Sequence, residues 1–246
     1  MMIPQLPTEI LQHVLEALWQ MPLTTQARTT LMTTLPLVNS TWADLFDMIS
    51  TKNVYIMSPA IEEHFLHSVR ASAQPSSKPS RRNRFCRLFR WPGKRMASNP
   101  PPKRSANLAC QTLTIQIANP AIHPHLRPHM PMTNIFDELL ENIDAHSLLP
   151  NLHALSIEYV DAPFEDVFLR MGLAALPEHV SDLAVSWSYS DGMPPWLATA
   201  LREKQKPQRT LRWASQSVQR VSVSGAGENV VKDLRRVCPN AKISVN

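Results

Sequence analysis

Glycine is scarce in this chain of 246 residues: five occur, against 22 prolines. Loops that cradle phosphate need closely spaced glycines, so glycine-rich nucleotide sites are excluded and fixed turns and linkers are expected instead. Cysteine is scarcer still. Cys86, Cys110 and Cys238 stand far apart and odd in number, which excludes a disulfide framework and a CxxC metal site and fits a reducing compartment. No apolar run approaches the length of a bilayer span, and Ile3 to Trp19 carries Glu9, His13 and Glu16 where a secretory signal would be apolar. A soluble protein, cytoplasmic or nuclear, is expected. The sequence has no GxSxG, HExxH or phosphate-loop motif, so neither catalytic residues nor a cofactor is expected.

Acidic residues are also missing, over one long stretch. Between His64 and Asn134 there is no Asp or Glu, while twelve Lys and Arg residues fall there. The chain carries 25 basic and 20 acidic residues, so removing those twelve leaves a body with a net charge of −7. The overall charge of +5 therefore describes neither part. From Ser72 to Asn107 the composition is rich in Ser, Pro, Lys and Arg, and such a segment cannot bury enough apolar area to offset ordering. It reads as a disordered linker. Within it lies a basic patch, Arg81, Arg82, Arg84, Arg87, Arg90, Lys94 and Arg95, with Phe85, Leu88 and Phe89 on one helical face. A spacer, a localisation signal, a nucleic-acid contact and a membrane-surface helix all fit that pattern.

What is present at the start is helical periodicity. Leu6-Pro7-Thr8-Glu9 opens a helix on which Ile10, Leu11, Val14, Leu15 and Leu18 recur, until Met21-Pro22 ends it. Ala27 to Leu35 makes a weak second helix among many threonines. Pro36 is expected to restart the chain into a third, with Val38, Trp42, Leu45, Phe46 and Ile49 as its stripe. A short strand at Val54 to Ile56 and a helix over Pro59 to Arg70 follow. Leu6-Pro7, Glu9-Ile10-Leu11 and Leu35-Pro36-Leu37-Val38-Asn39-Ser40-Thr41-Trp42, with that strand behind them, resemble an F-box of the divergent fungal type. The resemblance covers about fifty residues, and Asn39, Ser40 and Thr41 stand where the family usually carries cysteine or arginine. It implies docking on a Skp-type adaptor, and through it on a cullin, with Leu6, Pro7, Ile10, Leu11, Leu35 and Val38 facing the adaptor.

From Leu108 onward an apolar–x–x–apolar–x–apolar pattern recurs: Cys110, Leu113, Ile115; Leu152, Leu155, Ile157; Val180, Leu183, Val185; Val218, Val221, Val223. A shortened copy is Ala241, Ile243, Val245. Its final step of two is strand alternation, and helical patterns at Phe136 to Ile143 and Val230 to Val237 lie between copies. Equivalent residues Leu113, Leu155, Leu183, Val221 and Ile243 are 42, 28, 38 and 22 apart. Leu149-Pro150-Asn151-Leu152 and Cys238-Pro239-Asn240-Ala241, each leading into a strand, resemble degenerate leucine-rich repeats; regular repeats run at about 20–29 residues, so two repeats here carry insertions or the region is a compact α/β domain of another arrangement. The expected fold is α+β overall: a small three-helix F-box-like unit in a domain over 1–70, a linker over 71–107, and an irregular leucine-rich-repeat-like α/β solenoid over 108–246.

Candidate target contacts are the aromatics Trp187, Tyr189 and Trp196, side chains of a type common at interfaces. His123, His125 and His129 lie in a proline-rich stretch with no Cys or carboxylate at ligand spacing, so they read as loop histidines and no metal site is expected. The expected function is a non-catalytic adaptor subunit that joins a Skp/cullin ubiquitin ligase to an unknown protein substrate. The alternative is a nuclear or nucleic-acid-associated scaffold acting through residues 78–104.

Overall fold

The computed structural model describes residues 6–21, 23–73, 109–118, 139–141, 143, 148–162, 176–190, 193–203 and 215–246. The linker beyond residue 73, its basic patch and the three loop histidines lie outside the described residues. Those described form two compact units, one ending at Asn53 and the other beginning at Val54. No helix among them is long and apolar enough to cross a membrane.

The first unit is three helices: α1 (Thr8–Gln20), α2 (Thr25–Val38) and α3 (Ser40–Lys52). Pro7 caps α1, its carbonyl accepting from the Leu11 N–H at 3.1 Å, and Glu9 sits in the first turn where the helix dipole favours it. Thr24 caps α2 by accepting from the Ala27 N–H at 3.2 Å. Threonine is a poor helix former because its hydroxyl competes for backbone groups, yet here the competition is resolved within the helix. Thr29, Thr30, Thr33 and Thr34 each donate to a carbonyl three or four residues back. Pro36 does not restart the chain: α2 runs through it to Val38. Proline near a helix end forfeits one hydrogen bond but need not break the last turn. The break comes at Asn39, which is extended and whose Oδ1 accepts from the Trp42 N–H at 3.0 Å to start α3. Val38 therefore belongs to the end of α2.

α3 packs on both other helices. Trp19 and Phe46 meet edge to face with ring centroids 5.1 Å apart, and the Trp19 indole N–H donates to the Asn53 carbonyl at 2.8 Å. Arg28, only 1% exposed, lies over the Trp19 ring. Its guanidinium donates to the carbonyls of Trp19 at 2.7 Å and Met21 at 3.0 Å. Those carbonyls end α1, where orphan acceptors and the negative pole of the helix dipole both favour a cation. A charge in the core of so small a unit is thus held by the planar fork that lysine lacks.

The second unit holds the sheet. β1 (Asn53–Ile56), β2 (Thr112–Ala118), β3 (Ala154–Val160), β4 (Asp182–Ser188), β5 (Arg220–Ser224) and β6 (Lys242–Val245) lie side by side in chain order. The pairings from β2 to β6 are parallel. The helices of this unit include α4 (Pro59–Ala73), α5 (Pro195–Glu203) and α6 (Glu228–Val237). Residues 54–73 therefore belong with the sheet, whereas the sequence placed them with the helices up to residue 70. A strand must find ladder partners for its peptide groups, and three helices have none to spare.

The register is the one that the repeat implied: Leu113, Leu155, Leu183, Val221 and Ile243 are successive cross-strand partners. Strand entries are level too. The His153 N–H donates to the Gln111 carbonyl, Ser181 to His153, Gln219 to Ser181 and Lys242 to Gln219, at 2.8–3.1 Å. Cys110, Leu152, Val180 and Val218, three residues before those partners, are all buried. Tight turns precede three strands: Leu152 N–H to Leu149 O, Val180 to Pro177 and Ala241 to Cys238, at 3.0–3.1 Å. The middle turn lacks the Pro-Asn pair but keeps proline. One sheet face carries the apolar rows; on the other, Ser156, Ala184, Ser222 and Ser244 form a row of short side chains. The last repeat is open, with Ile243 half-buried and Val245 exposed.

Arg28→Ala should expose two unsatisfied carbonyls and cost about 3 kcal/mol, with Arg28→Lys recovering part of it. Hydrogen exchange in the full chain should show protection falling first along α1. Gly225 has φ of 71°, and an added Cβ would lie 2.5 Å from the Trp187 carbonyl oxygen. Gly225→Ala should therefore cost about 2 kcal/mol or more, seen as a lower midpoint of thermal unfolding.

Candidate functional site

On α1 the apolar positions from Ile10 to Trp19 cover an arc of about 180° at 3.6 residues per turn, and a core needs a stripe of about 100°. The structure divides that arc. Leu11, Leu15 and Trp19 are buried, whereas Ile10 and Val14 are about half exposed. Leu6, ahead of the helix, is 67% exposed, and Pro7 is exposed beside it. At the end of α2, Leu37 and Val38 are 58% and 56% exposed, while Leu35 is buried. Of the six residues expected to face an adaptor, Leu6, Pro7, Ile10 and Val38 are on the surface. Leu11 and Leu35 are not; they are core, because one-residue steps along a helix turn a side chain by about 100°.

Val14 and Leu37 were not among the expected contacts, though the width of the apolar arc was a signal for the first. The exposed line Ile10–Val14 leads one turn on to Leu18, which also lines an open groove of about 450 Å³ with Leu23, Ala27, Leu31, Thr24, Gln26 and Thr30. Exposed apolar side chains in a row, continued by an apolar groove, form a patch of the kind that binds a partner.

The three aromatic candidates of the second unit separate. Trp187 is buried and stacks on Tyr159 with centroids 4.5 Å apart and planes 1° apart. It continues the buried alternation of Leu183 and Val185 and is a core residue, not a contact. Tyr189 is half-buried. Trp196, in the first turn of α5, is 71% exposed. The chain that leads to it is held from below. Asp161, fully buried with φ of 55°, accepts from the Ser190 N–H at 2.8 Å and from the Ser190 hydroxyl, and its own N–H donates to the Ser188 carbonyl at 3.0 Å.

Titratable groups in this unit have structural surroundings. Burial pushes the Cys110 thiol up to about 12 and that of Cys238 up to about 11, so both stay protonated and poor nucleophiles. The Arg220 guanidinium beside Asp182 holds its carboxyl below the usual carboxylate range, against the opposing effect of burial. That pair lies at the strand entries of the short-chained face. Among the described residues no group of three or more His, Cys, Asp or Glu is placed to hold a metal ion. Comparison with protein-family models, curated proteins and solved structures finds no match to this chain.

The two tryptophans should behave oppositely. Trp187→Ala should cost about 3–5 kcal/mol by emptying a packed site, and Trp196→Ala should stay within about 0.5 kcal/mol of wild type, as urea unfolding would show.

Proposed function

We propose that this chain is the substrate-receptor subunit of a cullin-RING ubiquitin ligase, joining a Skp-type adaptor to a protein target without bond chemistry of its own. The observation that carries the reading is the uncovered apolar line Leu6, Ile10 and Val14, with Leu37 and Val38 on the same three-helix unit. A unit this small buries little apolar surface, and a partner that covers these large aliphatic side chains would gain the free energy of taking them out of water. The residues also resemble an F-box in order: a helix opened by Leu6-Pro7, a second helix through Pro36, a third with Trp42, and a strand directly after it.

The second unit would then be the target-selecting part, built as a leucine-rich-repeat-like solenoid. Strand order without reversal supports that reading, since each connection adds a neighbour on the same side of the last strand. Doubly wound enzymes instead reverse direction at a switch point and bind ligands in the crevice it opens. Trp196 and Tyr189 remain candidate target contacts. Work in the cytoplasm, the nucleus or both follows from the role.

Full-length protein co-expressed with a Skp-type adaptor should co-purify with it. Ile10→Asp/Val14→Asp, both at exposed positions, should keep the far-ultraviolet spectrum and unfolding midpoint of the wild type while weakening capture at least tenfold. Folded wild-type protein that does not bind, or a double variant that binds equally, would overturn the proposal.

A further inference from the structure

We draw no further inference here: the strongest candidate, the open groove of the helical unit lined by Leu18, Leu23, Ala27 and Leu31, continues the apolar line already described, and nothing in the structure shows what covers it.

Discussion

Level entry of the strands is the constraint on which the second unit depends. The connections into β3, β4, β5 and β6 return the chain to the same height, where a backbone N–H at the strand entry meets the carbonyl at the entry of the preceding strand. Side chains alternate with a period of two, so a slip by one residue would turn the buried rows of Leu155, Leu183 and Val221 to the opposite face. Buried residues three positions upstream, Leu152, Val180 and Val218, resist that slip by needing their own place beneath the turn. Register is thereby held by apolar demand at both ends of each repeat, and the turns with proline at Pro150, Pro177 and Pro239 bring the chain in at the required angle.

The first unit rests on different physics. Its helices are short, and one is rich in threonine, so packing on Trp19 has to supply what propensity does not. Arg28 binds two helices through one side chain: it stacks on the indole and completes the end of α1. With Leu11, Leu15 and Trp19 committed inward, the remaining aliphatic residues of α1 have nowhere to go but outward. The exposed row is a geometric remainder of a helix more apolar than its core requires.

Much of the second unit was legible in the sequence because its signal is local and repeated. Five copies of one pattern identified five strands and their mutual register, including the offsets of 42 and 28 residues that no propensity scale would suggest. The short strand at residues 54–56 was legible as a strand but not as a sixth member of the sheet, since four residues carry no record of their partner. The helical unit was legible in element type and less so in its faces. Hydrophobicity alone cannot tell Ile10 from Leu11; only the direction of the neighbouring helix does. Arg28 was invisible for a related reason: a charged residue on a polar-looking helix is buried here by carbonyls that belong to another segment. Trp187 looked like a contact because aromatic anchors and aromatic core residues have the same composition, and the stack on Tyr159 depends on the neighbouring strand.

Because the strands carry the register, the connections are released from carrying it. Successive repeats in this sheet differ almost twofold in length, from 22 to 42 residues, and enter at the same level. Closing a loop twice as long costs only about 0.6 kcal/mol of chain entropy, a small fraction of what one misplaced leucine would cost. Such an architecture accepts insertions at its rim with little effect on its spine. Selection can lengthen or exchange the rim segments, and with them whatever surface they present, while the sheet beneath stays as it is.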